Sequence, residues 1–141
     1  MTIKIKKLHP QAILPKYACA NDAGMDFYSL ENEIINPGER KLIPTGIAMA
    51  IPPGYVGLIW DKSGIASKHG IKTMGGVIDS GYRGEIKIIM HNLSNTSYMI
   101  EKNTKIAQML IQKVEQKDIV EVEELDESDR GSGGFGSTGM K

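Results

Sequence analysis

Cysteine is almost missing from this chain. Cys19 is the only one among 141 residues, so no internal disulfide can form and a reducing, cytoplasmic setting is expected. An excess of one charge is missing as well. Seventeen lysines and arginines face 17 aspartates and glutamates, for a formal net charge of zero. Proteins that bind nucleic acid or membrane surfaces carry a basic excess, so neither partner is expected. Any anionic ligand must then be held by a local site and not by the overall field. The opening Met1-Thr2-Ile3-Lys4-Ile5-Lys6-Lys7 lacks the apolar core of a secretion signal. No apolar run approaches the length that spans a bilayer, and no long segment repeats with helical periodicity. At this length one domain with a real core is expected.

What is present is the pattern of strands. Ile3, Ile5 and Leu8 alternate with lysines, which predicts a half-buried first strand. Short apolar runs follow at residues 33–35, 42–51, 56–60, 77–79, 85–91 and 105–112. Turn signals separate them: Asn36-Pro37-Gly38, Pro52-Pro53-Gly54, Gly75-Gly76, Ser80-Gly81 and residues 92–95. Residues 65–70 have room for one short turn of helix. Many short strands with frequent turns predict an all-β sandwich or barrel.

The C-terminal end changes character. Acidic residues dominate from 115 to 129, and Arg130-Gly131-Ser132-Gly133-Gly134-Phe135-Gly136-Ser137-Thr138-Gly139 follows. Composition alone makes this a disordered, solvated tail. Yet one guanidinium, one aromatic ring, several hydroxyls and the amides that glycine leaves accessible also suit a polyphosphate. A tail mobile alone and ordered by ligand satisfies both readings. The string from Gly131 to Gly136 matches G-x-G-x-x-G, but that fingerprint has meaning only between a strand and a helix of a βαβ unit, and no such context exists here.

Four further segments carry candidate chemistry. In Asp61-Lys62-Ser63-Gly64, a cation, a hydroxyl and free amides at a strand end could cradle phosphate oxygens; alone, the segment reads equally as a polar turn. In Gly75-Gly76-Val77-Ile78-Asp79-Ser80-Gly81-Tyr82, the double glycine predicts a tight hairpin whose backbone meets a flat ligand edge. Asp79 stands where a carboxylate could act as general base on water, or could stabilise the Ser80-Gly81 turn. Tyr82 suits a sugar or base, or a core. Gln108, the polar residue within an apolar strand, either faces solvent or makes a specific hydrogen bond. Asp26, between apolar neighbours, suits a salt bridge or a turn cap.

Taken in order, these segments resemble the five motifs of the trimeric dUTPases, the deoxyuridine triphosphate nucleotidohydrolases. The motifs read Ala23-Gly24-Met25-Asp26-Phe27, Lys62-Ser63-Gly64-Ile65-Ala66, residues 76–84, Lys105-Ile106-Ala107-Gln108-Met109 and residues 130–139. The resemblance implies a jelly-roll-like β-barrel over residues 1–125, a flexible tail over residues 126–141 that closes over the active site, and a homotrimer whose sites are shared between chains. It implies hydrolysis of dUTP to dUMP and pyrophosphate, which limits uracil incorporation into DNA and supplies dUMP for thymidylate synthesis. Mg²⁺ would be the cofactor, held mainly by the substrate phosphates and not directly by side chains.

By matching position, Asp79 would activate the water that attacks the α-phosphorus. Tyr82 would exclude a 2′-hydroxyl, and Gly76, Val77 and Ile78 would read uracil through their backbone. Lys62, Ser63, Gly64 and Gln108 would hold phosphates, with Lys87 a further substrate contact and Asp26 in support. Arg130 would reach the γ-phosphate, Phe135 would stack on uracil, and Gly136, Ser137 and Thr138 would wrap the phosphates.

The chain departs from the commonest family pattern in places. Asp61-Lys62 replaces Pro-Arg, which keeps the charge but loses the bidentate fork and adds a carboxylate that could pair with a neighbouring cation. Lys105 stands for arginine, and Gly81 for an aspartate. Two rival readings are a dCTP deaminase, which needs a glutamate where Ile89 stands and an arginine where Ser67 stands, and a non-catalytic regulatory relative.

Overall fold

The computed structural model describes all of Met1–Lys141. The chain folds as β1 (Lys4–Lys7), β2 (Gly24–Tyr28), β3 (Glu33–Ile35), β4 (Arg40–Pro44), β5 (Ile47–Ala50), β6 (Tyr55–Trp60), α1 (Ser63–His69), β7 (Ile71–Met74), β8 (Val77–Ile78), β9 (Lys87–Asn92), β10 (Tyr98–Ile100) and β11 (Lys105–Lys113). Every strand pair is antiparallel. The strands form four hydrogen-bonded sets, β2-β11-β6-β8, β4-β9-β7, β1-β5 and β10-β3, and these ladders do not close into a continuous ring. The all-β expectation holds, as a jelly-roll-like frame with open seams.

One core joins the four sets. Met25 and Phe27 of β2, Ile43 of β4, Ile47 and Met49 of β5, Ile59 of β6, Ile88 and Met90 of β9 and Ile106 and Met109 of β11 all lie within it. Period-two burial is clearest in β9, where Ile88, Met90 and Asn92 point inward. Asn92 is buried but satisfied. Its amide donates to the carbonyls of Ile35 and Thr96, each at 2.8 Å, and its oxygen accepts from the Ser94 amide and hydroxyl.

The expected run at 42–51 is two strands. Gly46 has a φ of 70° and turns the chain from β4, paired with β9, to β5, paired with β1. Ile47, Ala48 and Met49 are consecutively buried, which is why no alternation marks the break. Strands β2, β7 and β10 were not expected as strands. The buried Asp26 interrupts the apolar pattern of β2, while β7 and β10 are short and contain polar or exposed positions. Leu8 lies outside β1 and is half exposed. The short helix begins two residues earlier than expected and stops at Gly70, in the left-handed conformation, with its amide on the Ala66 carbonyl at 3.0 Å.

The expected hairpin at Gly75-Gly76 is absent. β7 pairs with β9, whereas β8 pairs with β6, so the two glycines carry the chain between sheets. Their φ values of 64° and 97° make that turn accessible to glycine. A Cβ at Gly76 would also sit 3.0 Å from the Ile59 side chain. The crossing leaves β8 at a sheet edge, with one side of its backbone unpaired.

Candidate functional site

The proposed site residues fall into three groups that do not meet within one chain. The first lines a cavity of about 520 Å³ formed by Val77, Ile78, Asp79, Tyr82 and Lys87 together with Leu42, Glu85, Ile86 and Ile89. Edge strand β8 supplies one wall, so its free backbone side is available to a planar ligand edge. Gly76 stands behind it, its carbonyl accepting the Ile59 amide at 2.8 Å.

The loop from Asp79 to Glu85 is held by its own polar groups. The Arg83 guanidinium donates to the carbonyls of Ser80 at 2.7 Å and Tyr82 at 3.1 Å. The Tyr82 hydroxyl donates to the Glu85 carbonyl at 2.7 Å, and its ring lies so close over Gly84 that a Cβ there would be 2.6 Å from the phenolic oxygen. Tyr82 is therefore half exposed yet fixed, not a core aromatic. Glu85 accepts the Gly46 amide at 2.9 Å. Asp79 is exposed, and no hydrogen bond or ion pair engages its carboxylate; only its backbone carbonyl is used, by the Tyr82 amide. Of the two acids lining this cavity, Asp79 is the one with an uncommitted side chain.

The second group lines a separate polar cavity of about 380 Å³, which includes Asp22, Gly24, Asp26, Lys62, Ser63, Gly64, Lys105 and Gln108. The Asp26 side chain is only 3% exposed and accepts Lys62 at 2.6 Å and Lys105 at 3.1 Å. Burial alone would push its carboxyl up, but the hydrogen bonds and charges of the two lysines outweigh this and hold it below the ordinary carboxylate range. Asp26 in turn holds the Lys105 ammonium above lysine's ordinary range. The two ammonium groups are balanced by Asp26 and by Asp22, which also lines the cavity, so the cavity offers a phosphate individual cations and not a net positive charge. Ser63 and Gly64 start α1, where amides have no partner within the helix. Gln108 resolves to a specific bond, its amide donating to the Asp61 carbonyl at 2.8 Å. Gly24 makes room for it: a Cβ there would lie 2.3 Å from the Gln108 oxygen.

Asp61 turns away from this cavity. Its carboxylate takes the Lys72 ammonium at 2.7 Å and the Thr73 amide and hydroxyl at 2.6 and 2.9 Å, so the neighbouring cation anticipated for it is Lys72.

The third group is the tail. Regular structure ends with β11, and the last backbone hydrogen bond to the rest of the fold joins the Val114 amide to Gly54. Arg130 donates only to the Gly133 carbonyl, at 2.8 Å. Phe135 is fully exposed with a φ of 49°. Gly136, Ser137 and Thr138 are also exposed.

Sequence reasoning missed Lys105, Glu85, Arg83 and Gly24. Lys105 was visible as the cation opening the Lys105–Gln108 segment. The other three support the site through contacts that only the folded chain reveals.

The low position of Asp26 has a consequence for acid stability. A carboxylate whose folded pKa is depressed stabilises the fold above its unfolded value and loses that contribution as pH falls through the folded value. Asp61, lowered by Lys72 and Thr73 against its own burial, acts in the same direction. Stability should therefore fall below about pH 4. Asp26→Asn should lower the melting temperature at pH 7 and flatten the acid limb in melts between pH 3 and 7. A parallel downward shift at every pH would assign the acid limb to other groups.

An all-antiparallel β-frame with a lysine-lined polar cavity, an apolar cavity beside a free strand edge and an uncommitted carboxylate defines a nucleotide-polyphosphate protein more than a nucleic-acid binder. The chain belongs to the dUTPase family, whose profile matches residues 10–139. It is 52% identical over 141 residues to the deoxyuridine 5'-triphosphate nucleotidohydrolase of Nautilia profundicola, covering 99% of each chain. It is 50% identical to that of Clostridium kluyveri, again over 99% of each. Among solved structures, a point mutant of the Staphylococcus bacteriophage 80alpha dUTPase with dUpNHpp superposes with a TM-score of 0.94 at 32% identity, covering 99% of both chains. A mutant dUTPase from phage phi11 of S. aureus, described for its coordination of a structural Mg(II) ion, superposes at 0.82 with 29% identity, over 88% of this chain and 98% of that one.

Proposed function

We propose that this enzyme hydrolyses dUTP to dUMP and pyrophosphate at sites assembled from more than one chain. The observation that carries this reading is the uncommitted Asp79 carboxylate at the rim of the cavity beside β8. Uracil sits against the free backbone of Val77 and Ile78, and its deoxyribose packs on the Tyr82 ring. The Asp79 carboxylate takes a proton from a water as that oxygen bonds to the α-phosphorus. The bond from the α-phosphorus to the oxygen bridging to the β-phosphate breaks, pyrophosphate leaves, and dUMP carries the new oxygen.

Lys62, Ser63, Gly64 and Gln108 hold phosphates, Asp26 keeps the lysine in place, and Lys87 adds a cation on the nucleoside side. Arg130, Phe135 and the Gly136-Ser137-Thr138 segment close the site. The cavity containing Asp79 and the one containing Lys62 share no lining residue, and the tail touches neither. Sites shared in a homotrimer unite the three parts. Residues 115–125 support that assembly, because Ile119, Val120, Val122 and Leu125 are exposed on a segment free to lie on a neighbour. Residues 1–125 are read as the catalytic body and 126–141 as the closing tail.

No group of three His, Cys, Asp or Glu side chains converges to cage a metal, and the buried Asp26 is already neutralised by two lysines. Mg²⁺ needs no such cage, since it keeps several waters and takes phosphate oxygens. When bound it supplies charge neutralisation on the triphosphate. The exposed thiol of Cys19 suits the reducing cytoplasm, and no helix is long and apolar enough to cross a membrane.

The deaminase reading finds no support in the cavity. Ile89, where its glutamate would stand, contributes an apolar wall, and Glu85 is tied to Gly46. The test is to incubate purified protein and Mg²⁺ with dUTP, UTP, dTTP or dCTP and identify products. dUMP and pyrophosphate from dUTP are expected; ammonia from dCTP would overturn the reading. Tyr82→Ala should narrow the ratio of kcat/KM for dUTP over UTP, by about tenfold or more if the ring is what excludes the 2′-hydroxyl. An unchanged ratio in the folded variant would make Tyr82 a packing residue.

A further inference from the structure

Asp61 ties together two of the hydrogen-bonded strand sets. It follows β6, a strand of the β2-β11-β6-β8 set, yet its carboxylate is bound to β7, a strand of the β4-β9-β7 set. Three donors converge on it: the Thr73 amide, the Thr73 hydroxyl and Lys72. The Thr73 contacts involve a buried residue, so water competes poorly for them. On its main-chain side, the Asp61 carbonyl receives the Gln108 amide. The next three residues, Lys62, Ser63 and Gly64, line the phosphate cavity, as does Gln108, whereas Asp61 does not.

We propose that Asp61 is a positioning residue for phosphate recognition, clamping the start of the Lys62-Ser63-Gly64 turn to Thr73 and setting Gln108 through its carbonyl. The inference rests on the dUTP-hydrolase reading and adds to it a part that touches no substrate. The turn is fixed by a side chain reaching into the neighbouring sheet. The Lys72 contact matters less than the Thr73 contacts, because Lys72 is half exposed and exposed pairs are screened.

The test is steady-state kinetics with dUTP and Mg²⁺ on the full-length chain, run well below each variant's melting temperature. Asp61→Ala should raise KM by about tenfold, as expected when one hydrogen bond to the substrate loses its alignment. Asp61→Asn, which can still accept from Thr73, should restore KM to within about twofold, whereas Lys72→Met should leave it unchanged. Asp61→Ala combined with Gln108→Ala should raise KM by less than the product of the single effects, because both act on the same bond. If Asp61→Ala does not fold, Asp61→Glu applies the same test, since its longer arm keeps the charge but displaces the turn and should raise KM several-fold. An unchanged KM with only a lower melting temperature, or multiplicative effects with Gln108→Ala, would make Asp61 a merely structural tie. Wild-type protein that fails to turn over dUTP would instead overturn the functional reading beneath it.

Discussion

Asp79→Asn is expected to slow dUTP turnover by about 10²–10⁴-fold, the range that general-base assistance contributes. The substitution keeps the shape of the side chain and removes its capacity to take a proton. Little else should change. No donor in the chain engages the Asp79 carboxylate, so no hydrogen bond is lost and the melting temperature should stay within a degree or two. Affinity for a non-hydrolysable dUTP analogue should hold or improve, because one negative charge beside the triphosphate is gone. Rate and affinity thus separate. Measuring kcat and analogue binding on the same preparation decides the matter, and near-normal turnover by the variant would remove Asp79 from the chemistry. The contrast with Asp26 is instructive. That carboxylate is buried under two lysines, so removing its charge should act first on stability and on the lysines' positions.

Most of the frame could be read from the sequence because most strands have one buried face. β3 falls at its expected residues, and β6, β9 and β11 lie within one or two residues of theirs, since apolar side chains recur along each. Reading failed where burial stopped following that rule. Both faces of β5 are covered, so residues 42–51 look continuous, and β2 carries its most informative residue, Asp26, in the middle of a core strand. The double glycine misled for a different reason. Two residues with positive φ mark a sharp change of direction, but whether the chain then pairs with itself or crosses to another sheet depends on distant partners, here Ile59 and Ile89. Local sequence does not contain them.

Candidate side chains were legible as types, and their commitments were not. Asp61, Asp79 and Glu85 look alike in sequence. Only folding ties the first to Thr73 and the third to Gly46, leaving Asp79 free. Lys62 and Lys105 stand 43 positions apart in the numbering and become one charge cluster through Asp26. The composition of residues 130–139 suggested a mobile tail, and the fold adds that no hydrogen bond joins it to the β-frame.

Deleting residues 130–141 should leave the β-frame as stable as before and cut turnover by at least about 10²-fold, the scale lost when reacting groups are no longer held in place. The first half follows from contacts: the tail's hydrogen bonds are all within residues 128–139, and Phe135 buries nothing. The second half follows from what the substrate offers in return for ordering a glycine-rich segment, which is costly in entropy. On the proposed reading the Arg130 guanidinium would gain a phosphate, the Phe135 ring a uracil face, and the amides and hydroxyls of Gly136, Ser137 and Thr138 polyphosphate oxygens. Closure also excludes bulk water from the reacting phosphorus, so kcat should fall and not KM alone. Phe135→Ala should show a milder form of the same defect. Because the tail lies away from both cavities of its own chain, it is expected to serve a neighbour's site in a closed ring of subunits. Mixing inactive Asp79→Asn chains with inactive tail-deleted chains, followed by dissociation and reassembly, should then recover activity, since some sites receive an intact base and an intact tail. A monomer in light scattering that is fully active would remove the shared site. Protease cleavage near Arg130 should slow when the analogue and Mg²⁺ are present. Equal cleavage with and without them, together with full turnover by the deleted chain, would return residues 130–141 to a solvated terminus with no part in the reaction.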